Sequence, residues 1–283
     1  MVFQSFSGRR VAFFSAFFAV LTSQSAFAQA PATQNVVQAY ADLVDLAESS
    51  PLILRAQVRD VIRVEPARSG NVAPGAARIY VEAHGDATLA GQMPVAPTLR
   101  YLADVRLDAR GKVPPLKKQE VLIFARPSAA GGGELQLVGP DTQWIWDAVT
   151  EQRIRDILAE IAAPTAPPHI TGISMALYQP GTLAGEGETQ IFLGTRSGAP
   201  ASIIVEHKAG QSARWGVSFT EVVNAAGGAP AHDTLAWYRL ACALPDMLPA
   251  AADVGETQDA KDQAVADYLL VRRDLGPCGR TRH

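Results

Sequence analysis

The chain has 283 residues, 48% of them hydrophobic and 19% charged, an ordinary balance for a folded protein with room for one large or two medium domains. Its 25 lysines and arginines meet 28 aspartates and glutamates, a net charge of −3. No surplus of positive charge is available to neutralise phosphates, so nucleic acid is set aside as a partner.

The N-terminus reads as a secretory signal peptide over residues 1–28. Arg9 and Arg10 form a basic start, residues 11–21 an apolar run, and Ala26-Phe27-Ala28 a small-x-small site with cleavage expected after Ala28. The apolar run is shorter than the roughly 18–20 residues a membrane span requires. Ser23, Gln24 and Ser25 end it, so no transmembrane segment is expected in the mature chain. No cysteine follows the run, which removes a lipoprotein-type anchor. Arg9-Arg10 leaves the general and twin-arginine routes both open. The expected location is the periplasm or the secreted fraction. Export gives a meaning to the only two cysteines, Cys242 and Cys278, which an oxidising compartment lets pair as a disulfide. The absence of CxxC argues against a redox site or a zinc knuckle.

A first domain is expected over 29–147. In QNVVQAYADLVDLA (34–47), Val36, Val37, Tyr40, Leu43, Val44 and Ala47 recur at helical spacing. The next stretch, PLILRAQVRDVIRVEP (51–66), sets Arg55, Arg59 and Arg63 four apart, as a basic helical stripe would. At helical period, however, its apolar residues spread around the whole circumference. At period two, Leu52, Leu54, Ala56, Val58, Ile62 and Val64 share one face, broken by Asp60, and Arg55, Gln57, Arg59 and Arg63 share the other. The stretch is therefore read as a long half-buried strand with a bulge or bend near Asp60.

ARIYVEAH, TLRYLADVRLD, EVLIFAR, ELQLV and TQWIW supply further strands, with EVLIFAR apolar on both faces and so central. Together they predict a small closed or partly closed barrel. The run LKKQEVLIFARP resembles the strand entry of OB-like barrels of the netrin-module kind, over residues 34–147. That resemblance implies a barrel and carries no activity. The N-terminal cysteines usual in netrin modules are missing here.

A helix over 148–161 and the prolines Pro164, Pro167 and Pro168 form an expected linker, 148–168. The second domain, 169–283, begins with ITGISMALY, TQIFLG, SIIVEHK and RWGVSFTEVV, an antiparallel meander. Two helices follow, DTLAWYRLACAL with Asp233 as cap, and ETQDAKDQAVADYLLVRR. The expected class is mainly β with helices (α+β), an OB-like barrel followed by a meander and two helices. The segments ETQIFL, RWGVS and LAWYRLAC also resemble a group of uncharacterised exported bacterial proteins. That resemblance implies export and the disulfide and brings no activity with it.

Chemistry is sparse. The chain has no GxSxG, SxxK, HExxH or GxxxxGK, and GEGETQ (185–190) precedes a strand and reads as a turn. Of His84, His169, His207, His232 and His283, no two stand four apart on a helix, so no metal or cofactor is expected and no catalytic residue is assigned. His232-Asp233 with Ser218 could join a triad assembled by the fold, against the plainer reading of Asp233 as a cap. Trp144 and Trp146 alternate in QWIW, a stacking platform or interface anchor if they are not simply packed. The expected function is a non-enzymatic exported binding protein of the bacterial envelope. Its partner would be another envelope protein or a peptide, met by an edge strand or the Trp144/Trp146 face. The alternatives are an envelope hydrolase with dispersed catalytic residues and a carrier of a small apolar ligand inside the barrel.

Overall fold

The computed structural model describes residues 1–2, 38–91, 98–129, 132–220 and 228–282. The expected signal peptide, with its cleavage site after Ala28, lies outside these residues, as does His283.

The stretch with the three arginines is strand β1 (Leu52–Arg63). Leu52, Leu54, Ala56 and Val58 are 1% exposed or less. Arg55 on the other face is half-buried and Arg59 and Arg63 are exposed. Between Val58 and Asp60 the register against the neighbouring strand slips, leaving Arg59 as the extra residue of a bulge. One added residue inverts the alternation beyond it. Val61 therefore packs on the interior cluster, whereas Ile62, expected on the buried face, is 58% exposed.

Strands β2 (Ala76–Ala90), β3 (Leu99–Arg106), β4 (Glu120–Pro127), β5 (Leu135–Leu137) and β6 (Gln143–Ile145) complete the first sheet. Its order is β3-β2-β1-β4-β5, with β6 also on β4. The sheet curls around Leu54, Val58, Ile79, Val81, Leu99 and Ile123, all at 1% exposure or less. Its two ends meet at a single parallel bridge, Arg100 with Glu134. Two backbone bonds back it, Arg100 N–H donating to the Gly133 carbonyl at 3.0 Å and Asp104 N–H to that of Pro140 at 2.6 Å. The anticipated barrel is thus curled but not closed, because three-residue β5 is too short to build a full ladder against β3.

Strand β4 is buried on both faces for a specific reason. Val121, Ile123 and Ala125 point into the curled sheet, while Leu122 and Phe124 point outward into a second core. That second core also takes residues from helix α1 (Tyr40–Ser49), helix α2 (Ala148–Ala162), the second sheet and two later helices. The Asp147 side chain caps α2 by accepting the Thr150 N–H at 2.8 Å. Ile154 and Ile157 of α2, the helix expected between two domains, are fully buried in the shared core.

The second sheet holds β7 (Ile170–Pro180), β8 (Gly187–Thr195), β9 (Ser202–His207) and β10 (Arg214–Ser218), antiparallel and in chain order. Helices α3 (Leu235–Ala241) and α4 (Gln258–Leu275) close the fold. The cap of α3 is Thr234 rather than Asp233, its side chain accepting the Trp237 N–H at 3.2 Å. Asp233 instead takes a left-handed φ of 57° in the turn leading in, a conformation that aspartate tolerates through local hydrogen bonding. Among the described residues no helix is long and apolar enough to cross a membrane.

Residues 276–282 form a strap running back across α1. Cys278 is disulfide-bonded to Cys242, which ends α3. Asp42 on α1, fully buried, accepts from the Thr281 N–H and hydroxyl and from the Arg282 N–H. Arg282 also pairs with Asp141 at 2.6 Å and lies over the Trp144 ring at 5.7 Å.

Candidate functional site

A cleft of about 660 Å³ opens where α1, the start of β7, α3 and the strap converge. Helical spacing sets Asp45 and Glu48 one turn apart on the side of α1 away from Leu43. Helix α3 brings Tyr238 and Arg239 to the same place.

Arg239 is only 5% exposed. Its terminal nitrogens both donate to the Glu48 carboxylate, one at 3.1 Å to Oε2 and the other to Oε1, and its Nε donates to the Pro167 carbonyl at 3.2 Å. His169 Nε2 lies 3.5 Å from Glu48 Oε1. A second cluster joins strap to helix. Arg280 donates to Asp45 at 2.6 and 2.9 Å and to the Tyr238 hydroxyl oxygen at 3.1 Å, while that hydroxyl donates to Asp45. Arg196, in the connection after β8, gives its backbone N–H to the His169 carbonyl at 2.9 Å. Its exposed guanidinium makes no ion pair among the described residues.

The electrostatics follow from these contacts. Burial, then the neighbouring Arg239 and Arg196, hold His169 below the ordinary imidazole value, with Glu48 opposing. Burial and the hydrogen bond to Asp45 push Tyr238 up to about 12. The bond to Asp45 raises the Arg280 guanidinium further still. Three guanidinium groups thus meet two carboxylates, and both carboxylates are already engaged. The Arg196 guanidinium and one terminal nitrogen of Arg280 are the groups at the walls that make no hydrogen bond among the described residues.

A second polar constellation lies between α4 and the second sheet. Asp267, 2% exposed, accepts from the Thr189 hydroxyl, from His207 Nε2 at 2.8 Å and from Gln263 Nε2 at 3.0 Å. An imidazole on a buried carboxylate is the base-and-orienter half of a triad. Here, though, the hydroxyl donates to the carboxylate and not to the ring, so the group ties helix to sheet.

The residues singled out on sequence grounds are dispersed. His232 packs on the Trp237 ring with centroids 5.1 Å apart, and the Ser218 hydroxyl sits 3.2 Å from that of Thr220. Trp144 meets Phe124 edge-on at 4.9 Å. Trp146 lies beneath Arg55, at 5.4 Å, and donates its ring N–H to Glu151 at 2.5 Å. Both rings are half-buried, each under a guanidinium. Among the described residues no group of histidine, cysteine, aspartate and glutamate could hold a metal ion. The cleft residues come from six separate segments: α1, α2, the start of β7, the connection after β8, α3 and the strap. The one local signal for them is Arg239, a lone charge inside the apolar helix LAWYRLA.

Glu151 offers a pH-dependent test of the Trp146 corner. Burial alone would raise its carboxyl, but hydrogen bonds from Arg155 and Trp146, with Arg55 close by, outweigh that and hold it below its ordinary value. A carboxyl lowered on folding adds stability above its unfolded value, about 4.5, that is lost as pH falls through the folded one. Glu151→Gln is expected to cost about 1–2 kcal/mol at pH 7 and less near pH 3, as read by urea unfolding at both. An equal loss at both would show that the charge is not what holds this corner.

No family model matches the chain, and no curated protein matches it.

Proposed function

We propose that the protein works in the bacterial envelope by binding, with the cleft beside His169 as its contact site and an envelope protein or peptide as its partner. The observation that carries this reading is the preorganisation of the cleft. Arg239 and Arg280 are held in place by Glu48, Asp45 and the Pro167 carbonyl, so the floor and one wall of the cleft are fixed before anything enters. A location in the periplasm or outside the cell rests on the signal-peptide pattern of residues 1–28 and accords with the Cys242–Cys278 disulfide. The interior of the curled first sheet is taken up by its own side chains, among them Leu54, Val58, Ile79, Val81, Leu99 and Ile123.

Photocrosslinking in intact cells tests the reading. A crosslinker at Ala243, which is exposed and lines the cleft, should give a discrete adduct. The same group at Arg63 of the first sheet should not. Identical patterns from both positions, or none from Ala243, would remove the cleft as the contact site.

A further inference from the structure

The cleft does not treat the two signs of charge alike. Asp45 and Glu48 have their oxygens taken by Arg280, Tyr238, Arg239 and His169, so an entering cation would have to displace a guanidinium. On the positive side, the exposed Arg196 guanidinium makes no hydrogen bond or ion pair among the described residues, and one terminal nitrogen of Arg280 makes none of that residue's bonds. Three positive charges against two negative leave one uncancelled at the cleft.

Size and lining add a second constraint. A volume of about 660 Å³ lies within the roughly 300–1,000 Å³ of small-molecule sites and is far more than a bare oxyanion fills. Ile161, Ile170 and the disulfide-bonded Cys242 give part of the lining an apolar character. Resting on the reading of the cleft as the contact site, we infer that it receives an organic anion, with a carboxylate or phosphate head against Arg196 and Arg280 and a short apolar body behind it. A guanidinium presents paired N–H groups in one plane, which suits either head.

His169 reports on the event. The charged groups facing it are Glu48 from α1, Arg239 from α3 and Arg196 from the connection after β8. An anion seated against Arg196 adds negative charge near the imidazole and raises its affinity for a proton. By linkage, such an anion binds more tightly as the pH falls.

The test is an NMR titration of the His169 ring in the full chain, with butyrate and propyl phosphate as probes. We expect a saturable shift, an upward move of the His169 midpoint in the bound form, and roughly tenfold weaker binding in Arg196→Gln, the usual effect of losing a charge-assisted hydrogen bond. Arg59→Gln, an equal loss of charge on the first sheet, should leave the affinity unchanged. Saturation by butyrate alone assigns a carboxylate head, and by propyl phosphate alone a phosphate monoester. Saturation by neither probe, or equal affinity in Arg196→Gln, overturns the inference. If the Ala243 crosslinker captures a partner while both anions leave His169 unmoved, the anionic head fails and the binding reading survives. If both experiments fail, both fall.

Discussion

Arg239→Met is expected to lower the stability of the fold by about 3–5 kcal/mol, the range for removing one member of a buried ion pair. The methionine keeps much of the arginine's packing volume, so the loss isolates the guanidinium. Its removal strips Glu48 of two hydrogen bonds, leaving the carboxylate only His169 at 3.5 Å, and leaves the Pro167 carbonyl without its donor. The Glu48 side chain is 19% exposed, so water can recover only part of this. The double variant Glu48→Gln, Arg239→Met should therefore lose clearly less than the sum of the two single variants, because it leaves no unpaired charge behind. Urea unfolding of the three variants measures this. Additive losses, or less than about 1 kcal/mol for Arg239→Met, would mean that the floor of the cleft is not built on this pair.

Replacing Cys242 and Cys278 together by alanine is the second large effect. The bridge closes a loop across a sequence separation of 36, and in the chain-entropy model its removal costs about 3–4 kcal/mol. The effect should also be local. Cys278 anchors the strap on which Arg280 pairs with Asp45 and Thr281 with Asp42, so trypsin should cut at Arg280 sooner in the variant. The wild type should move toward the variant's unfolding curve on adding a reductant, and the variant should not respond. A variant as stable and as protease-resistant as the wild type would show that the strap's ion pairs hold without the bridge.

The class of fold, mainly β with helices, was legible because strand alternation and helical spacing are local patterns. Leu52, Leu54, Ala56 and Val58 announce their shared face, and Leu122 and Phe124 announce a strand buried on both sides. The misplacement of Ile62 has an equally local cause. A bulge costs a single residue, and Arg59 looks no different from Arg55 or Arg63 in the sequence. Helix α3 is capped by Thr234 while its predecessor Asp233 takes a left-handed turn, which composition does not reveal. The curl of the first sheet was expected, but its failure to close depends on how short β5 turns out to be. The cleft was out of reach for another reason. Glu48 and Arg239 are 191 positions apart, and nothing in α1 says which distant cation will face it.

The strap also sets an order on how the molecule reaches its final state. Asp42 receives its partner Thr281 from 239 positions further along the chain. In whichever compartment the chain folds, the carboxylate on α1 has no lasting partner until the backbone amides of residues 281 and 282 reach it. Until then it needs water, so α1 cannot take its final depth. Final seating of α1 is therefore a late event, slaved to the arrival of residues 278–282, and a chain lacking them would leave α1 unfinished.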